Sequence, residues 1–280
     1  IYQRYGFAPA GALREYRVDT TDIRLLMDSD DLPVQRFEGV EAFEAVRALY
    51  KDFIAQRTGY LHRSKSLWLN NVFAPPVEDG PVYVALVGSV SAPTGYVVYT
   101  LRAQRVQHRA RAQEIRIRDL AWLDRSAYAA LWQYLARHDL VGRVVWSTAP
   151  MDDPAPDLFI EPRLLHAQDL EGTWWRLVDV PAALAQRGYD TEGVLVLGIA
   201  EDDLAPWNVG NWRIEYSREG AAVQTTRAPA DVNLSVRALS SLYSGYSVAR
   251  HLANAQLITA DDAALAQFDR MMRTRFAPHC

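Results

Sequence analysis

The change of texture near Asp190 constrains this chain more than any other feature. Beyond it lie four short apolar runs, Val194 to Ile199, Trp212 to Tyr216, Val223 to Thr226 and Val232 to Val236, separated by glycine and proline turns. A β-rich module therefore begins there, and helical spacing returns only at Leu239 to Tyr243, Val248 to Ala255 and Ala263 to Met272. Ahead of it, helix and strand patterns alternate. The 280 residues are enough for about two domains, each with its own core.

In the first part, Leu13 to Val18 alternates as a strand, and Thr20 to Asp22 with Asp28 to Pro33 forms a polar break. Phe43, Val46, Leu49, Tyr50, Phe53 and Ile54 recur at helical spacing, and Arg57-Thr58-Gly59 closes that helix with a basic turn and a glycine. A second helix starts at Leu67 to Leu69. Strands are expected at Val82 to Val87, Tyr96 to Leu101, Glu114 to Trp122 and Val144 to Trp146, with a helix from Ser126 to Arg137 capped by Ser126. Thr173 to Leu184 reads as a strand running into a helix with Pro181 in its first turn, and Gly188 ends it.

Charge and cysteine usage exclude several classes. With 30 basic and 34 acidic residues, the net charge of -4 carries no nucleic-acid footprint. The basic run Arg102, Arg105, His108, Arg109, Arg111, Arg116 and Arg118 alternates in part with apolar residues, which fits a strand face or a subunit contact better than nucleic acid. The single cysteine, Cys280, allows no internal disulfide, and no cysteine and histidine spacing suits zinc, so no metal is expected and a cytoplasmic location is. No apolar run reaches the roughly 18 residues of a membrane span. Asp152, Asp153 and Asp157, and Glu201, Asp202 and Asp203, flank prolines in turns, where carboxylates cap backbone rather than bind metal. Ser240 and Ser241 lack the glycine frame of a hydrolase nucleophile. Trp174, Trp175, Trp207 and Trp212 are expected in core and interdomain packing.

The chain opens on Ile1-Tyr2-Gln3-Arg4-Tyr5-Gly6-Phe7, an apolar, aromatic run with no initiating methionine. It reads as the end of a preceding domain, so the sequence is expected to be a fragment. Gly6 permits a turn with positive φ, and the flanking rings can wall in a phenol. On the residues alone, a strand-to-turn packing element and the edge of an active site both remain open.

Three stretches in order along the chain resemble one family. They are the opening heptapeptide, Trp175-Arg176-Leu177-Val178-Asp179-Val180-Pro181-Ala182-Ala183-Leu184, and Leu239-Ser240-Ser241-Leu242-Tyr243-Ser244-Gly245. Together they are similar to the Eis-type (enhanced intracellular survival) acetyltransferases of the GNAT superfamily. The resemblance implies an α+β fold: residues 1–20 as the C-terminal piece of one GNAT domain, 21–189 as a second GNAT-like domain with a mixed sheet flanked by helices, and 190–280 as a sterol-carrier-like domain.

What the resemblance implies chemically is acetyl-CoA-dependent N-acetylation of a small-molecule primary amine, aminoglycoside-like or of the lysine or polyamine kind, by a homo-oligomer, hexameric in the family. It puts the general acid for the CoA thiolate on Tyr2, and cofactor contacts on Tyr2, Arg4 and Tyr5. A phenol suits that role, because its pKa of ~10 lies slightly above the ~8.5 of a thiol. The base in the family is the terminal carboxylate, expected to lie beyond Cys280; His279 in a frayed tail is an ordinary residue. GNAT enzymes cradle the CoA pyrophosphate on an Arg/Gln-x-x-Gly-x-Gly/Ala turn at a helix N-terminus. The equivalent stretch here, Leu123 to Tyr128, has no glycine and carries Asp124, so the central domain is expected to be scaffold and the working loop to lie upstream of Ile1. The alternative is a non-catalytic binding or assembly module whose sterol-carrier-like domain holds an apolar ligand; Trp207, Trp212 and Tyr243 should fill that domain if it is purely structural.

Overall fold

The heptapeptide ends in a short strand, β1 (Ala8–Pro9), and after Gly11 the chain enters β2 (Ala12–Asp19), a strand of different company. In this computed structural model, which describes residues 1–27, 32–103 and 113–279, backbone contacts divide the chain into two units. One comprises Leu13–Leu170; the other joins Ile1–Ala12 to Glu171–Cys280. The Asp28 to Asp31 stretch, Arg105, His108, Arg109, Arg111 and Cys280 lie outside the described residues.

The central unit is built on one mixed sheet. Its strands are β2, β3 (Val34–Glu38), β4 (Val82–Ser89), β5 (Ala92–Ala103), β6 (Gln113–Trp122), β7 (Val141–Pro150) and β8 (Gln168–Glu171), in the spatial order β3-β4-β5-β6-β7-β2-β8. Alternation along β4 and β5 makes two cores. Ala85, Val87, Val97 and Tyr99 face α3 (Arg125–Ala136) with Tyr128, Leu131, Trp132 and Leu135. Val84, Leu86, Tyr96 and Val98 face α1 (Phe43–Ile54), whose Phe43, Val46, Leu49, Tyr50 and Phe53 are the helical stripe read from the sequence. The second expected helix is one turn, α2 (Lys65–Leu67), that widens into a π turn over Trp68–Val72. Arg118 satisfies a carbonyl there, its Nε donating to Val72 O at 2.7 Å.

Helix α3 begins one residue earlier than its serine suggested. Asp124, not Ser126, is the cap, its Oδ1 accepting from the Ala127 amide at 2.7 Å. Strands β6 and β7 pair in parallel from Gln113 with Val141 to Ile117 with Trp146, and then part. Arg57 spans the two strand ends, its guanidinium 5.3 Å from the Trp122 ring centre and 3.5 Å from Asp152 Oδ1. Just past β7, ahead of the one-turn helix α4 (Ala155–Leu158), Asp153 is buried and accepts from Tyr128 OH at 2.7 and 2.9 Å and from the Ala155 amide at 3.0 Å.

Burial pushes the Asp153 carboxyl up to about 7, against the hydrogen bonds from Tyr128 and the Ala155 amide that favour its ionised form. Because the native pKa lies above the unfolded one, Asp153 contributes stability at acid pH that is lost as pH rises from about 4 to about 7. Asp153→Asn should therefore flatten that part of the stability profile, removing a slope worth on the order of 4 kcal/mol across the window. Urea denaturation at stepped pH checks this, and an unchanged slope would place the proton elsewhere.

The other unit has a mixed sheet ordered β12-β11-β10-β13-β14, formed by β10 (Gly193–Ile199), β11 (Gly210–Ser217), β12 (Gly220–Thr225), β13 (Val232–Leu234) and β14 (Ile258–Ala260). Four of these follow the sequence pattern; β14 is too short to announce itself. Leu195, Leu197, Ile199, Ile214 and Tyr216 form its core with α6 (Val236–Tyr243), α7 (Ala249–Asn254) and α8 (Asp262–Met272), chiefly through Leu239, Leu242, Phe268 and Met271. Helix α5 (Val180–Gln186) is capped by Asp179, with Pro181 in its first turn. A two-stranded ladder, β1 with β9 (Trp174–Trp175), ties the opening segment into this unit.

Candidate functional site

Tyr2 to Tyr5 form a 3-10 turn, and Gly6 closes it in the left-handed region at φ 77°, with its amide donating to Gln3 O at 3.2 Å. The turn places Tyr2 edge-on to Phe7, ring centres 6.0 Å apart, and tilted against Trp174 at 6.3 Å. One side of the ring is walled while the residue stays 62% exposed. A phenol held this way has a fixed place and open access. Arg4 and Tyr5 are exposed on the same turn, so the three residues implicated by the resemblance lie together.

Arg176 fastens the turn from behind. Its Nη1 donates to Tyr5 O and its Nη2 to Asp202 Oδ1 at 2.7 Å. Asp202 is buried and Arg176 half-buried, and Asp202 is completed by the Ala205 amide at 3.2 Å and Asn208 Nδ2 at 3.0 Å. Burial opposes ionisation of Asp202, but the hydrogen bonds from Asn208 and Arg176 prevail and hold its carboxyl below the usual range. Asn208 also accepts from the Val180 amide at 2.8 Å and donates to Val178 O at 3.1 Å, so the Arg176 to Val180 segment is locked to the turn before β11. Asp202 was legible as a capping carboxylate. Its pairing with Arg176, 26 residues away, was not.

Other expectations resolve differently. Trp212 is buried, with Nε1 donating to Asn208 O at 2.9 Å, but Trp207 is 57% exposed and only its Nε1 is engaged, on Val178 O. Trp207 is therefore not core: it follows Pro206 in a 3-10 turn that carries it outward. Nor is the tail frayed, since Pro278 is buried and His279 half-buried. Of the basic run, Arg102 reaches Asp79 at 3.5 Å and Arg116 reaches Asp79 at 3.7 Å and Glu114 at 3.1 Å, which neutralises them locally. Among the described residues, no group of three or more histidine, cysteine, aspartate or glutamate side chains could hold a metal ion.

The central unit offers a poor cradle for a pyrophosphate. The α3 N-terminus, where such a group would sit, is occupied by the Asp124 carboxylate, and a phosphate would meet like charge.

Residues 59–184 match the acetyltransferase (GNAT) domain and residues 180–280 the sterol carrier protein domain. The chain is 29% identical over 274 residues to the N-acetyltransferase Eis of Mycobacterium tuberculosis, covering 95% of this chain and 64% of that protein. The chain thus carries a GNAT acetyltransferase domain followed by a sterol carrier protein domain, and is similar to Eis-type N-acetyltransferases. An uncharacterised N-acetyltransferase of Streptomyces coelicolor is 30% identical over 251 residues, 88% of this chain and 60% of the relative. The crystal structure of Eis1 from Mycobacterium abscessus superposes with a TM-score of 0.81 at 28% identity, over 99% of this chain and 69% of that one. The chain thus spans about three fifths of the length of these curated relatives.

Proposed function

We propose that this chain is part of an acetyl-CoA-dependent N-acetyltransferase acting on a small-molecule primary amine, with Tyr2 as the general acid. The observation that carries the proposal is the Tyr2 turn: an exposed phenol on a rigid 3-10 element, walled by Phe7 and Trp174 and tied through Arg176 to a buried carboxylate. The neutral amine attacks the thioester carbonyl, the tetrahedral adduct collapses with cleavage of the C–S bond, and the phenol proton passes to the departing thiolate. The proton leaving the amine goes to a carboxylate at the C-terminal end of the complete chain. A carboxylate of ordinary pKa ~3.5 must be desolvated to serve as that base. Arg4 and Tyr5 supply an exposed cation and a second phenol beside the acid, suited to a phosphorylated co-substrate.

The acceptor we favour is aminoglycoside-like, with lysine or polyamine amines as competitors, in a homo-oligomeric enzyme of the cytoplasm. The direct test is CoA thiol release by the complete protein with a panel of such amines. Release no faster with amine than without it would overturn the proposal.

The second reading, an apolar-ligand module, draws less support. A surface depression of the sterol carrier unit is lined by Asp190, Thr191, Glu192, Ser217, Arg218 and Glu219, a charged set. Tyr243 is packed inward, its hydroxyl donating to Ala183 O at 3.2 Å. Because the α3 N-terminus is self-capped, residues 1–280 alone should show no CoA binding by calorimetry; micromolar binding would restore the central unit as a cofactor site.

A further inference from the structure

The end of α6 touches more distant parts of its unit than a helix terminus requires. Its buried face carries Ser240, Ser241 and, just beyond, Ser244 among apolar neighbours, and each hydroxyl is used. Ser240 Oγ accepts from the Leu177 amide at 3.0 Å, next to the arginine that fastens the Tyr2 turn, and donates to Val236 O at 2.8 Å. Ser241 Oγ donates to Pro9 O at 2.8 Å, on the strand that follows the same turn. Ser244 Oγ donates to Ser241 O at 3.0 Å and holds the corner closed. Capping the helix would need none of the bonds to Leu177 and Pro9.

The same corner grips the other end of the chain. Gly245 has φ 82°, and a Cβ there would fall 2.4 Å from Thr274 Oγ1 and 2.7 Å from its Cγ2. Thr274 Oγ1 in turn donates to Phe276 O at 2.8 Å. Arg187 adds a second grip, donating to Tyr243 O at 3.1 Å and to Met271 O and Met272 O, the last carbonyls of α8, at 3.1 and 2.7 Å. The tail so directed ends against the Tyr2 segment: a Cβ on Gly11 would lie 3.0 Å from Pro278 O. Residues 9, 177 and 274 come from three remote stretches and meet on six consecutive residues.

We propose that the Ser240 to Gly245 corner is a positioning element that fixes the C-terminal tail relative to the segment carrying Tyr2. The coupling is a property of the packing. Its consequence for catalysis rests on the reading of Tyr2 as general acid and of the tail as bearer of the base. Ser241 serves the Tyr2 side and Gly245 the tail side, so each can be perturbed separately while both segments are observed.

Hydrogen exchange on residues 1–280 carrying Ser241→Ala or Gly245→Ala tests the coupling. Each substitution is expected to raise exchange about fivefold both in residues 8–12 and in residues 273–279, as loss of a buried hydrogen bond or contact worth ~1 kcal/mol implies. Gly220→Ala is the control, since Gly220 also has positive φ, at 143°, but nothing lies within 4 Å of its Cβ position; it should alter neither segment. If Gly245→Ala does not fold, Ser241→Ala decides alone. Exchange that rises only in the segment touching the substituted residue overturns the proposal. In the complete protein, both substitutions should lower kcat about tenfold at unchanged KM for acetyl-CoA. Coupled exchange with unchanged kcat upholds the positioning role and overturns the acid–base reading instead.

Discussion

Replacing Tyr2 by phenylalanine in the complete protein is expected to lower kcat for acetyl transfer by about 10² to 10⁴-fold, the usual worth of a positioned general acid. Affinity for acetyl-CoA should hardly change. The substitution removes only the hydroxyl, and the ring contacts with Phe7 and Trp174 at 6.0 and 6.3 Å remain. A fall in kcat with unaltered KM is the signature of an interaction made in the transition state, and steady-state kinetics with a titrated amine reads it directly. Unchanged turnover would remove Tyr2 from the mechanism while leaving the fold assignment untouched.

The second large effect is expected at Gly6. A Cβ there would stand 2.0 Å from Arg176 Nη1, and φ 77° is strained for any residue with a side chain. Gly6→Ala must therefore push the Nη1 end of the guanidinium away from Tyr5 O and strain its pairing with Asp202, whose loss would leave a buried carboxylate without its cation. Breaking a buried pair in this way costs about 3–5 kcal/mol. Arg176→Ala should be as damaging, and Arg176→Lys nearly so, because one ammonium cannot reproduce a fork that bridges a carbonyl and a carboxylate. Differential scanning calorimetry should show the transition of the unit containing residues 171–280 lowered by about 10 °C or more. A loss below about 1 kcal/mol would mean that Arg176 swings free at little cost and does not hold the turn.

Acid should loosen the same joint. Asp202 is held below its unfolded pKa, so its contribution is present above about pH 4 and lost as pH falls through its lower native value. This is opposite in sign to Asp153 in the central unit, whose contribution is lost as pH rises toward about 7. The two units should therefore respond oppositely to acidification, which makes their transitions separable.

Long elements with strong periodicity were legible in the sequence. The stripe from Phe43 to Phe53, the alternation in β4, β5 and β6, and the four strands after Asp190 all stand where the pattern put them. Elements whose residues carry little pattern were missed. β3 has the sequence Val-Gln-Arg-Phe-Glu at a sheet edge, largely solvated, and β14 has three residues. The Asp124 cap was misplaced by two residues because Asp124 and Ser126 are both good caps, and only geometry shows which oxygen meets the Ala127 amide.

The candidate site was legible only in part. Tyr2, Arg4 and Tyr5 are local, so a turn sequence was enough to bring them together. The groups that hold the turn are not local: Arg176 and Asp202 meet Tyr5 across more than 170 residues of chain, and Ser241 reaches Pro9 across 232. No spacing in a single sequence encodes such contacts. The one signal that pointed to them was the likeness of the stretches Trp175 to Leu184 and Leu239 to Gly245 to the Eis-type pattern, and the structure gives those stretches a physical task. Each supplies a clamp on the segment that carries Tyr2.

The central claim is that this segment belongs to an enzyme moving an acetyl group from a thioester to an amine. The measurement that tests it most directly is the stoichiometry of CoA thiol released to N-acetylated amine formed by the complete protein, in parallel with its Tyr2→Phe variant. Equal release of the two products, slowed at least about 100-fold in the variant, is the expected result. Thiol release without N-acetylated product, or equal rates in the two proteins, would contradict it.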